Sequence, residues 1–254
     1  MTRTPAGITG ERDRRGDRVF TEPAELYDAI YFGFKDYPAE AESIASLLRS
    51  VHPAGGTVLD VACGTGEHAR LLAQRHRFEV DGLDVNEDFL RLARLKHPDG
   101  RFTRADMRSF SLERRYDAVL CLFSSIGYLR TLDGVIGAFR RFRAHLADGG
   151  LVLVEPWFGP GVLEPGRRSV HVGEANGVRV ERTATTEVEG RVSRLRFEYV
   201  ITDPAGERRT SEVHELGLFT VVEMLDAFAA AGLAAEHLDG SFTDRGLYLA
   251  RPAA

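Results

Sequence analysis

The chain has 254 residues, 43% hydrophobic and 28% charged, with a formal net charge of −5. That length suits one α/β domain with an insertion or two small domains, and the acidic balance excludes a global basic field that would draw the chain to nucleic acid. Two cysteines, Cys63 and Cys121, make neither a disulfide scaffold nor a zinc site, and the absence of a membrane-length apolar run or a signal pattern sets the expected location as cytoplasmic.

Residues 1–21 are rich in Arg, Asp and Gly and read as a flexible tail. From Glu22 to Ser50, Leu26, Ile30, Ala41, Ile44, Ala45, Leu47 and Leu48 fall at helical spacing. The aromatics there (Tyr27, Tyr31, Phe32, Phe34, Tyr37) suit a core-packing cap or a lid over a ligand. Val58–Gly66 then reads VLDVACGTG, a strand running into a glycine turn, and Glu67–His76 reads as a helix. Gly64 and Gly66 let the backbone turn sharply and approach a ligand. Further strands are expected near 79–84, 101–105, 116–122 and 150–155, with helices near 87–97 and 132–146. Asn86 caps the first of these helices and Pro98 stops it; Gly149-Gly150 ends the second. After Pro156, alternation at Val178 and Val180, and again from Leu195 to Ile201, reads as an antiparallel insertion. Thr220-x-x-Glu223 is a capping box opening a helix that ends at Gly232, and strands follow at 234–238 and 246–250.

This order implies an α/β fold: a Rossmann-like, doubly wound sheet of seven strands with a small antiparallel β insertion. Residues 22–156 and 216–254 form the ligand-binding domain with its helical cap, and 157–215 the insertion. Binding belongs at the carboxyl ends of the strands.

Gly64-Thr65-Gly66-Glu67-His68-Ala69 also satisfies G-x-G-x-x-A, with Asp84 twenty residues after Gly64, so NAD must be weighed against S-adenosylmethionine. Asp60, inside the strand, would repel a pyrophosphate but can meet a cationic amino acid. A third strand ends in Asp106, placed to take an adenine amino group. The turn begins only after a substantial helical region. These three features favour S-adenosylmethionine. Ala62, Gly64 and Gly66 should then face its methionine part, Asp84 with Val85 its ribose, and Asp106 with Met107 its adenine.

VLDVACGTG, GLDV, ADMRSF, FSSIGYL and EPWF, in that order, resemble the class I S-adenosylmethionine-dependent methyltransferases. With AELYD, KDY and LFT they are similar, more narrowly, to the N,N-dimethyltransferases of nucleotide-linked amino sugars in macrolide pathways, from about Ala24 to the C-terminus. The resemblance implies that Tyr27 and Tyr37 contact the cofactor, that Phe123 follows the strand flanking the adenosine, and that the enzyme is a homodimer acting on a small molecule. The acceptor site should be bordered by Phe123–Tyr128, including Ser124, and by Glu155–Phe158, including Trp157. Tyr128 is the first choice for orienting the acceptor amine. His214 or His171 could touch substrate, but both are expected to be solvated strand residues. Arg245, in the turn before the last strand, is the candidate for the pyrophosphate. Two departures bear on the substrate. The amino-sugar enzymes carry a tyrosine eight residues before that of AELYD, where this chain has Val19 beside Phe20. Thr243–Tyr248 stands where they have a richer glycine and serine turn. Other acceptors left open are a lincosamide-like or other small natural-product amine; an NAD-dependent sugar oxidoreductase and a non-catalytic cofactor-binding protein are alternative classes.

Overall fold

Five strands pair in parallel: β1 (Thr57–Val61), β2 (Glu79–Asp84), β3 (Phe102–Arg104), β4 (Tyr116–Cys121) and β5 (Leu146–Val154). With β10 (Leu233–Leu238) and β11 (Leu247–Pro252) they form one seven-stranded sheet in the order β3–β2–β1–β4–β5–β11–β10, in which β11 runs antiparallel to both neighbours. This computed structural model describes residues 24–50, 52, 55–175, 177–240 and 243–253. The tail over 1–21, with Val19 and Phe20, lies outside the described residues.

Among the described residues six α-helices accompany the strands, α1 (Ala24–Tyr31), α2 (Tyr37–Arg49), α3 (Glu67–His76), α4 (Glu87–Lys96), α5 (Leu132–Ala144) and α6 (Val221–Ala230), with a 3-10 turn over Ser125–Leu129 after β4. Their ends follow local chemistry. Asn86 accepts from the amides of Asp88 and Phe89 at the start of α4, and the Thr220–Glu223 capping box opens α6. Apolar faces of α5 and α6 close one side of the sheet, where Phe139 stacks on Phe228 with ring centroids 3.8 Å apart. The α2 and α3 faces close the other. The helical region at the start is two helices, parted by a turn over residues 32–36. The glycine pair expected to end α5 does not do so. The helix stops at Ala144, Leu146 already pairs with Tyr116, and Gly149-Gly150 lie within β5, where the register shifts before Leu151 meets Ala118.

The insertion between β5 and α6 is an antiparallel sheet in the order β6 (Arg168–Ala175), β7 (Val178–Glu189), β8 (Val192–Asp203) and β9 (Gly206–Gly217). Its inner face packs on α1: Leu26, Ala29 and Ile30 meet Val180, Phe197, Tyr199 and Ile201. At Gly173 the contact is backbone to backbone; a Cβ there would lie 2.1 Å from the Ala29 carbonyl oxygen. The strand order turns back between β1 and β4, so a crevice opens at their carboxyl ends. α1 and the insertion stand over that crevice.

Candidate functional site

β1 leaves the sheet through Ala62, at φ 57°, and enters the glycine turn. A left-handed backbone is costly for a side chain with a Cβ and persists only where the surroundings enforce it. Phe123 and Ser124, after β4, repeat the pattern at φ 52° and 62°. Their enforcers are visible. Glu155 Oε2 accepts from the Phe123 amide at 2.6 Å, and the Ser124 hydroxyl donates to the Pro156 carbonyl at 2.7 Å.

A recess of about 40 Å³ lies between these turns, lined by Tyr27, Tyr37, Asp60, Ala62, Gly64 and Phe123 among others. It adjoins a cleft of about 1240 Å³ that shares Tyr27, Ala62, Gly64 and Phe123. Asp84, Val85, Asp106, Met107, Ser124, Tyr128, Trp157 and Arg245 all line the larger cleft. Of the expected site residues, only Gly66 lies on neither wall. Its missing Cβ serves packing, since a Cβ there would come within 2.7 Å of the Ala93 Cβ, whereas one at Gly64 would meet nothing.

The acids differ in state. Asp60 is 2% exposed, and burial pushes its carboxyl up to about 7. Asp84 is also raised by burial, partly offset by hydrogen bonds from backbone amides: Gly64 donates to Oδ2 at 3.0 Å and Asn86 to Oδ1 at 2.8 Å. Asp106 is held below the ordinary carboxylate range by hydrogen bonds from Arg108, whose nearest nitrogen lies 2.5 Å away.

The cap is tied to the turn by charge. Asp28 of α1 pairs with Lys96 of α4 at 2.6 Å and accepts from Thr65 at 2.5 Å. Glu40 of α2 accepts from Lys35 at 2.5 Å and contacts His68 of α3 at 2.8 Å. Cap and lid are therefore one object here: Tyr37 is buried in the core and also lines the recess.

On the far wall, Arg245 donates to Glu155, which has no exposed surface. Its guanidinium lies 5.8 Å from the Trp157 ring and 5.4 Å from the Phe158 ring. Sequence reasoning missed Arg182 of β7. It is 5% exposed and donates to the Tyr31 hydroxyl at 2.8 Å, and its guanidinium lies 4.5 Å from the Phe197 ring. Its Nε is buried without a hydrogen-bond partner, and among the described residues no carboxylate pairs with it. The signal was present: Arg182 falls between Val180 and Ala184 on the inward alternation. The expectation of a solvated strand residue fails at His214, while His171 is half-buried. His214 has no exposed surface and lies 2.7 Å from the Tyr128 hydroxyl, while His171 packs on Phe34 with ring centroids 4.2 Å apart.

This arrangement fits S-adenosylmethionine. The recess offers a buried carboxylate for an ammonium group, Gly64 leaves open space at the turn, and acids stand at the ends of β2 and just after β3. Among the described residues no group of three or more His, Cys, Asp or Glu is placed to hold a metal ion.

Comparison with known proteins agrees. A methyltransferase-domain family model matches residues 58–150. The chain is 41% identical over 232 residues to the dTDP-3-amino-3,4,6-trideoxy-alpha-D-glucopyranose N,N-dimethyltransferase of Streptomyces venezuelae, covering 91% of this chain and 98% of that one. It is 41% identical over 235 residues to the dTDP-3-amino-3,6-dideoxy-alpha-D-glucopyranose N,N-dimethyltransferase of Streptomyces fradiae, covering 92% of each. Among solved structures, the S-adenosylmethionine-bound amino pentose methyltransferase CalS10 of Micromonospora echinaspora, involved in calicheamicin biosynthesis, superposes with a TM-score of 0.79. It is 36% identical, over 92% of this chain and 98% of that one.

Proposed function

The chain belongs to the S-adenosylmethionine-dependent N,N-dimethyltransferases of nucleotide-linked amino sugars, and from that membership we propose that it methylates the amino group of a dTDP-linked amino sugar in the making of a secondary metabolite. The enzyme is a methyltransferase and its methyl donor is S-adenosylmethionine. When bound, that cofactor supplies an electrophilic methyl group on a sulfonium.

The single observation that carries the acceptor reading is the large cleft with six arginines on its walls, of which Arg182 and Arg245 are enclosed and the other four exposed. The protein is acidic overall, so a pyrophosphate needs local positive charge. Among the described residues no carboxylate pairs with buried Arg182, and Arg245 shares its charge with Glu155. Both stand on the acceptor side of the turns at Ala62 and Phe123. We assign the pyrophosphate to them.

The remaining roles follow position. Asp60, Ala62, Gly64, Tyr27, Tyr37 and Phe123 hold the methionine end and the sulfonium. Asp84 with Val85 receives the ribose, and Asp106 with Met107 the adenine. Asp106 keeps an acceptor oxygen for that role only by sharing it with Arg108. Trp157 walls the acceptor site, its indole nitrogen donating to Ser193 Oγ at 2.8 Å. Ser124 supports the wall through Pro156, so it shapes the site. Holding the amine in line with the methyl group is the main source of rate, worth roughly 7–11 kcal/mol in well-aligned systems. Residues 157–215 form the insertion, and residues 22–156 with 216–254 the cofactor-binding domain, whose Tyr128 and Arg245 also face the acceptor.

Among the described residues no helix is long and apolar enough to cross a membrane, and a cytoplasmic location goes with the proposed small-molecule chemistry. A homodimer completes the proposal. Its support is the edge strand β6, which leaves Val170 and Val172 56% and 40% exposed.

A panel of dTDP-amino sugars, with the cofactor and mass detection of each methyl added, tests the function. Mass shifts on the dTDP sugars, and none on the unphosphorylated sugars, are expected. Equal turnover of a free sugar would overturn the nucleotide assignment.

A further inference from the structure

Behind Tyr128 the insertion holds a line of polar groups with no part in the roles above. Tyr128 Oη lies 2.7 Å from His214 Nδ1. The other ring nitrogen, Nε2, lies 3.0 Å from Glu212 Oε1. Tyr199 donates to that same carboxylate oxygen at 2.5 Å. His214 has no exposed surface, and Glu212 and Tyr199 are buried. The strand period of two sets Glu212 and His214 on one face of β9, and β8 brings Tyr199 against them. With a carboxylate facing Nε2, the imidazole proton sits there, and Nδ1 is left to accept from the phenol. Tyr128 itself lines the large cleft on its acceptor side. Burial pushes its phenol well up, so it stands there protonated and is no phenolate base. A buried polar chain of this kind is costly in a packed sheet; His214 Nε2 and Glu212 Oε1 face one another at ion-pair distance without hydrogen-bond alignment, a contact that strengthens once the imidazole is charged.

We propose that Tyr128, His214 and Glu212 form a proton relay that receives the proton released when the acceptor amine is methylated. The proposal rests on the amine-acceptor reading above. The amine lone pair forms the N–C bond while the S–C bond breaks and its electron pair stays on sulfur. The resulting ammonium N–H gives its proton to Tyr128 Oη as the phenol proton passes to His214 Nδ1. The imidazolium so formed is held by the Glu212 carboxylate, and the proton returns to solvent along the same atoms after product leaves. The logic is that of a nucleophile–histidine–carboxylate triad, with the phenol as the group facing substrate. Tyr128 is the catalytic residue, and His214 and Glu212 are positioning residues that act through it.

The test uses the full chain with S-adenosylmethionine and a dTDP-amino sugar. Tyr128→Phe and His214→Asn should each lower kcat by about 10²-fold, with KM and cofactor affinity held within about twofold. Asparagine keeps an acceptor near the Nδ1 position but takes no proton. A role confined to holding the tyrosine ring therefore predicts near-normal kcat in His214→Asn, and that result overturns the relay. The double variant should lose no more than either single one, because one path is cut once; losses that multiply also overturn it. A readout without turnover is the imidazole N–H proton resonance in the protein alone, which should move in Glu212→Gln and stay unmoved if the pair is not formed. If His214→Asn fails to fold, Tyr128→Phe, which cuts the first link alone, decides by the same kcat and KM split. Wild-type protein that methylates no amino sugar overturns the acceptor reading and the relay together, an outcome distinct from an active enzyme indifferent to these substitutions.

Discussion

Glu155 and Arg245 form an ion pair across the ends of two neighbouring strands, and the same carboxylate holds the Phe123 amide on the opposite side. A lone charge at either position would be expensive, because burial removes the water that stabilises it. The pair also joins the cofactor-side turn to the acceptor-side wall. A phosphate reaching Arg245 competes with Glu155, so substrate binding is felt at Phe123, beside the cofactor recess.

Arg245→Ala should raise KM for a dTDP-amino sugar more than about tenfold and weaken the cofactor less, since a charge-assisted bond is worth roughly 1.5–3 kcal/mol and the cofactor recess is reached only through Glu155 and Phe123. Steady-state kinetics with varied sugar, beside calorimetry with the cofactor, separates the two. An unchanged KM would remove Arg245 from the proposed pyrophosphate site.

Asp84→Ala should weaken S-adenosylmethionine and its demethylated product by at least about tenfold, because a ribose acceptor is lost and the Gly64 amide loses its anchor. No added metal should be needed. Calorimetry giving equal affinities for mutant and parent would remove Asp84 from the ribose site.

Cofactor affinity should depend on pH through Asp60. Burial places its carboxyl at about 7 in the free protein. The fold thus favours the protonated form, and the stability Asp60 contributes is full at low pH and is lost as pH rises to about 7. A cationic ligand needs the ionised form. Affinity should therefore climb by about tenfold per pH unit below 7 and level off above it, with proton release on binding. Titration in buffers of different ionisation enthalpy counts that proton. Asp60→Asn should abolish both effects, and a flat profile in the parent protein would dismiss the ammonium role.

Light scattering at micromolar concentration should give the mass of two chains. The burial argument for a second subunit is weaker than the alternation of the insertion suggests, because α1 covers its inner face within the same chain. A mass of one chain at every concentration tested would end the homodimer proposal.

Local signals carried most of the fold. Asn86 and the Thr220–Glu223 box mark helix starts through side chains that act on their own turns, so their helices could be placed without tertiary knowledge. Leu146 misled because a leucine at the end of an amphipathic run fits a helix face as well as a strand, and only pairing with Tyr116 decides. Asp60 and Asp84 were legible because local signals fix where their strands end, the glycine turn after β1 and the Asn86 helix cap after β2. Arg182, flanked by Val180 and Ala184, carried a signal that went unread. His214 and Glu212 were not legible, because alternation shows that a strand has two faces without showing which one turns inward. α1 decides that, and its contact with the insertion spans most of the chain.

Lys35 and Lys96 are the chain's only lysines: Lys35 pairs with Glu40 inside the cap and lies 4.3 Å from the Phe123 ring of the body, and Lys96 of α4 holds Asp28 of the cap. Their side chains are 5% and 19% exposed. Amine-directed chemistry therefore has no side-chain target except the two fasteners of the cap. Acylation there would erase the charge that each pairing depends on, so the rate at which these lysines are modified measures how often the cap lifts. Slower acylation in the presence of S-adenosylmethionine would report cap closure over the recess, with no label introduced into the protein.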